Sequence, residues 1–133
     1  MWTSERERRT AVQEAEAEIG LVTLGGDPAG VNLGGERRWL PVYSPGGYAW
    51  RPAAGDKVLV VKTGGERETP CILGAAQKES DLRPGEVRLT GTGSSLTLGG
   101  NSVSLKGTVR VNGMELEAYI RGIVADMLSE QGG

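Results

Sequence analysis

Histidine and phenylalanine are both absent from the 133-residue chain, and tryptophan and tyrosine bring the aromatic share to only 5%. Without histidine the chain lacks the usual general base, the commonest metal ligand and any simple switch near neutral pH. A Ser-His-Asp or Cys-His centre is therefore excluded within the chain. Hydrolysis by two carboxylates stays open, because there are 17 Asp and Glu. Most of these stand in charge-mixed runs of the kind that cover a solvated surface. Cysteine occurs once, at Cys71, so no internal disulfide can form, and a lone thiol fits folding in a reducing cytoplasm. No stretch approaches the roughly 20 apolar residues of a membrane span, and no signal-peptide core opens the chain. The net charge of −2 and pI near 5.3 give no general electrostatic reason to bind nucleic acid. The glycine clusters lack the Gly-x-x-x-x-Gly-Lys-Ser/Thr phosphate loop, and "GTGSSLTLGG" stands among turns and strands rather than before a helix. No catalytic constellation is visible, so no enzyme, cofactor or metal is expected.

Glycine, by contrast, is plentiful at 22 residues. It lacks the Gly-X-Y period of collagen and suits many short strands and turns. Residues 1–14 read as a polar, charge-mixed arm. Residues 15–76 then hold five short strands: "EIGLVTL", "GVNLGG", "ERRWLPVYS", "KVLVVK" and "TPCILGAA". Between the first two, "DPAG" reads as a turn, with Pro28 for rigidity and Gly30 for freedom. Pro41 inside the third argues for an edge or a bulge, and "TGGERE" reads as a hairpin turn before the fifth. Five strands so spaced suggest a small OB-like barrel, with Trp39 and Trp50 packing it or a subunit contact. Residues 77–86 are polar, carry Pro84 and Gly85, and read as a linker.

Residues 87–113 differ in kind. Val87/Leu89, Leu96/Leu98, Val103/Leu105 and Val109/Val111 are four apolar pairs, each spaced i, i+2 and separated by Gly, Ser, Thr or Asn corners. That spacing puts both members of a pair on one face of a strand. The block contains no aromatic residue, so it has too little apolar matter to close a core alone, and its strand edges would stay unpaired. Identical copies wound about one axis solve both problems, each covering the others' inward residues while edges pair between chains. Three is the smallest number that closes a triangular prism. The alternative is that the block folds back onto the barrel as extra strands of one monomeric domain; the linker and the missing aromatics count against it.

Residues 114–133 form a C-terminal helix and tail. Leu116, Ile120, Ile123 and Met127 step by four, three and four, a helical stripe. Asn112 is expected to cap the first turn, with Glu115 completing a capping-box-like pattern.

Leu40-Pro41, the aromatic loop from Tyr48 to Pro52, "PAAGD" from Pro52 to Asp56, Val58 to Val61, and "ILG" from Ile72 to Gly74 resemble the barrel of phage baseplate assembly protein V and related tail-spike proteins. The "SLTL", "VSL" and "VRVNG" elements are similar to that family's spike shaft, and the resemblance covers roughly residues 19–113. It implies a mainly β chain: an OB-like barrel that trimerises, continued by a trimeric triple-stranded β-helix and here by a short C-terminal α-helix. It implies a homotrimeric virion structural protein, assembled in the host cytoplasm, on the axis of a bacteriophage tail or phage-derived machine. Such a protein plugs the tube, meets other hub, baseplate, tip or tape-measure proteins, and transiently enters the host envelope. Many spikes of the family end in an iron-binding His-x-His tip; this chain has no histidine, so the metal is not carried over. The main rival is an OB-fold oligonucleotide-binding module, using Trp39, Tyr43, Tyr48 and Trp50 beside Arg37, Arg38 and Arg51; nucleic acid is not expected as a partner.

Overall fold

The computed structural model describes residues 16–64, 69–78 and 80–132. The expected arm and the tip of the "TGGERE" turn lie outside the described residues. The chain divides into two compact units, the first ending at Lys78.

In the first unit, β1 (Ala17–Leu24), β2 (Ala29–Asn32), β3 (Glu36–Leu40), β4 (Lys57–Lys62) and β5 (Pro70–Ala75) form one antiparallel sheet in the order β3-β2-β1-β4-β5. The sheet curls into a half-barrel, because the chain leaving β3 returns alongside β5. Val42 bridges Ile72 in parallel, the Ile72 N–H donates to Pro41 O at 2.9 Å, and the Tyr43 N–H donates to Ile72 O at 2.8 Å. Two edges that would otherwise be open are thereby tied together.

Alternation in β1 and β4 builds the core. Gly20, Val22, Val58 and Val60 face inward, while Ile19, Leu21 and Leu59 face outward. Val22, Ala29, Val31, Leu40, Val58, Val60 and Ile72 make the buried cluster, with Leu33, Val42 and Trp50 packed against it. "PAAGD" is a turn that locks onto β1: Gly55 N–H donates to Val22 O at 2.8 Å and Val22 N–H to Asp56 O at 2.9 Å. Within the turn, Ala53 N–H donates to the Asp56 carboxylate at 2.9 Å.

Gly20 and Gly30 both stand where a side chain would crowd a neighbour. A Cβ on Gly20 would overlap the buried Val31 side chain and lie 2.7 Å from Leu33 Cδ2. Gly20→Ala is therefore expected to cost about 1–3 kcal/mol by overpacking, read as a lower urea midpoint at unchanged slope. Gly30 does not supply the turn freedom expected of it. It sits inside β2, where a Cβ would be 3.0 Å from Leu24 Cβ, and the left-handed turn residue is Gly26, φ 125°.

Strand β3 does carry an irregularity. Ala29 pairs with Leu40 but Val31 pairs with Arg37, so β3 holds one residue too many. Trp39, at φ 67°, takes up this bulge in a region that L-residues rarely enter. Leu40 is thereby turned into the core while Trp39 stands 79% exposed.

The second unit holds β6 (Val87–Thr90), β7 (Ser95–Gly99) and β8 (Ser102–Lys106), then β9 (Arg110–Val111), β10 (Met114–Glu115) and the helix α1 (Leu116–Gly132). Within the chain β6, β7 and β8 pair with each other, antiparallel and in that order. Asn112 is not a helix cap. With φ 51° at Asn112 and 78° at Gly113 the two residues turn the β9–β10 hairpin in the two-residue form that needs positive φ at both positions. The helix begins only at Leu116, whose N–H donates to Val109 O at 2.8 Å. None of the described residues of this unit is fully buried.

Candidate subunit interface

The three-stranded sheet places its aliphatic residues by register. Val87 pairs with Leu98 and Leu98 with Val103; Leu89 pairs with Leu96 and Leu96 with Leu105. Directly opposed residues share a face, so six side chains form two rows of three on one side of the sheet. The turns hold this register. Gly100 (φ 60°) and Asn101 (φ 61°) make a two-residue turn between the paired Gly99 and Ser102, and the β6–β7 loop closes with Gly91 N–H donating to Ser94 O at 2.9 Å. A one-residue slip would move all six aliphatics to the other side.

The opposite side is polar: Arg88, Thr97 and Ser104 lie in one row, Thr90, Ser95 and Lys106 in the other. Arg88 Nε donates to Thr97 Oγ1 at 2.9 Å, and its guanidinium pairs with Asp81 at 2.9 Å. That hydrogen bond, with the Arg88 charge behind it, holds the Asp81 carboxyl below its ordinary range. On this side Ser104→Ala is expected to leave both oligomeric mass and denaturation midpoint essentially unchanged, by light scattering and a urea titration.

Among the described residues of this unit nothing buries the aliphatic side: Val103 is 68% exposed and Leu105 60%, with Leu96 half-buried, though a lone soluble unit would turn such residues inward. The remaining two expected shaft residues lie elsewhere: Val111 is in β9, paired with Met114, and Val109 stands just before it, bonded to the helix start. In α1 the expected stripe of Leu116, Ile120, Ile123 and Met127 is exposed throughout, as are Tyr119, Val124 and Leu128. Glu117 and Arg121 form an ion pair at 2.6 Å one turn apart.

Of Trp39 and Trp50, Trp50 packs against the barrel core, whereas Trp39 lies outside that cluster, 79% exposed at the β3 bulge. A further apolar patch, unnoticed in the sequence, lies on the barrel's outer face. Ile19 pairs with Leu59, and a shallow groove runs past Leu73 and Ala75. Its signal was "KVLVVK", apolar at consecutive positions rather than alternating, as in a strand covered on both faces. Elsewhere on the barrel, a cleft of about 270 Å³ is lined by Glu18, Leu33, Glu36, Arg37, Val60, Lys62 and Pro70, with charges of both signs. Among the described residues no acidic or thiol cluster is arranged to hold a metal ion, and no helix is long and apolar enough to cross a membrane.

No protein-family model, curated protein or solved structure matches the chain.

Proposed function

We propose that the chain is a homotrimeric structural protein of a phage tail or phage-derived injection machine, acting as the central spike at the baseplate hub. In this reading the first unit is an OB-like barrel, and three copies of the β6–β8 sheet turn their aliphatic sides to a common axis as the walls of a prism. The observation that carries it is the uncovered face made by Val87, Leu89, Leu96, Leu98, Val103 and Leu105. The prism differs from an interwoven triple-stranded β-helix in that each wall is one chain's own antiparallel sheet. What remains for neighbours are the outer edges of β6 and β8, which can pair across the corners. The function is mechanical. A closed prism has no free edge, and pulling one chain out of it breaks many hydrogen bonds and apolar contacts together. The sequence resemblance to baseplate assembly protein V supplies the setting: a virion tail, with hub, baseplate or tip proteins as neighbours and the host envelope as the target.

Antibody raised against the purified chain is expected to label one end of tail particles released from lysing cells of the source organism. Unlabelled tails, with the protein recovered free in the soluble fraction, would contradict the assignment.

One observation favours the oligonucleotide-binding reading. Trp39, Tyr43 and Tyr48 are all exposed near Arg37, Arg38 and Arg51 in the chain, and bases stack on such rings. Titration with single-stranded DNA at moderate salt, followed by tryptophan fluorescence, separates the two. The spike reading expects no saturable quenching, and micromolar or tighter binding would favour the rival.

A further inference from the structure

We propose that α1 is a parallel three-helix clasp, in which the helix of each copy packs its apolar stripe against the helices of two others and sets the level at which the three chains meet. The inference rests on the trimeric reading above and adds to it a second, separable contact.

The pattern of the stripe points to helices packing on like helices. Leu116 to Ile123 and Ile120 to Met127 are each seven residues apart, the repeat that lets side chains of parallel helices interlock. Its two central positions are Ile120 and Ile123, adjacent a and d sites, and isoleucine at both shifts preference from two strands towards three or four. Tyr119 and Val124 flank the stripe and are exposed as well. With Leu128, also exposed, they widen the apolar arc to about half the circumference at 3.6 residues per turn. A two-stranded seam is narrower, whereas a helix touching two neighbours needs the wider arc.

The occupant is another copy of this chain. Glu117 and Arg121 pair within the helix, while Asp126 and Glu130 have no basic residue beside them in the last turn. The β6–β8 face of the same unit is also open, and one threefold axis would cover both surfaces. Direction follows from the connection. The tight Asn112–Gly113 hairpin and the Leu116-to-Val109 bond tie the helix start to β9 and β10, and only residues 107–109 separate β9 from β8 in every copy alike. Three sheets meeting at one level therefore send out three helices at one level, running the same way. Once the helices have joined, they hold the three sheets at an effective concentration in the mM range.

The test uses the full chain with Leu116→Cys or Met127→Cys, oxidised mildly; Cys71 is buried in the barrel and stays silent. Each variant alone is expected to give disulfide-linked pairs, while Ser104→Cys, on the polar side of the sheet, gives none. Linkage only on mixing Leu116→Cys with Met127→Cys would mean antiparallel helices and overturn the proposal. Absence of linkage from either variant, with a three-chain mass retained, would overturn the clasp and leave the trimer standing; a single-chain mass for the unaltered protein would remove both. As a second readout, Ile120→Asn with Ile123→Asn is expected to raise the concentration for half-assembly by about tenfold or more. An unchanged midpoint would overturn the clasp.

Discussion

Leu98→Asp and Val103→Asp are each expected to yield a soluble single chain of 14.0 kDa whose barrel still unfolds cooperatively. The two residues pair directly across β7 and β8, in the row that begins at Val87. In the assembled prism the new carboxylate would enter an interior built of aliphatic side chains, three times over and near one axis. Burying an unpaired charge costs several kcal/mol per ion, and like charges brought together add to it. Separation into single chains relieves the whole cost. The barrel does not share in the damage, since its buried cluster contains only residues between Val22 and Ile72. Light scattering should therefore report loss of the trimer, while a urea titration still shows the barrel's cooperative transition. Unchanged mass in both variants would count decisively against the interface.

Ile72→Ala is expected to have the largest effect on the barrel itself. Ile72 is fully buried, and its backbone N–H and C=O are the two groups that close the curled sheet onto Pro41 and Tyr43. Truncation leaves a cavity beside that closure and should cost about 2–5 kcal/mol, a large share of the roughly 5–15 kcal/mol that stabilises a typical domain. The measurement is a urea titration followed by tryptophan fluorescence, at matched concentration because assembly contributes to apparent stability. A loss below about 1 kcal/mol would mean that the closure does not depend on this side chain.

The positions of the strands were readable because short apolar stretches between glycine turns mark them: "KVLVVK" coincides with β4 and "EIGLVTL" lies within β1. The apolar pairs of β6–β8 were readable because i, i+2 spacing fixes a shared face whatever the strand pairs with. Pairing itself was not. Spacing alone does not say whether the neighbour of β7 comes from its own chain, yet two-residue turns such as Gly100–Asn101 leave little alternative to a meander once recognised. Asn112 was misread because Glu115 stands three residues beyond it, the offset of a capping box. The adjacent Gly113 made Asn-Gly a hairpin signal, and that signal prevailed. The left-handed bulge at Trp39 had no local mark beyond Pro41, since a tryptophan enters that conformation only under the constraint of its surroundings. The outer patch of Ile19, Leu59 and Leu73 was hidden because a run of consecutive apolar residues does not say which of them face outward.

Sedimentation equilibrium of the unaltered protein across a wide concentration range addresses the shared interior most directly. A mass of three times 14.0 kDa, falling only on strong dilution, is the expected result. A mass of one chain at every concentration, with Leu98 and Val103 already protected from solvent, would contradict it.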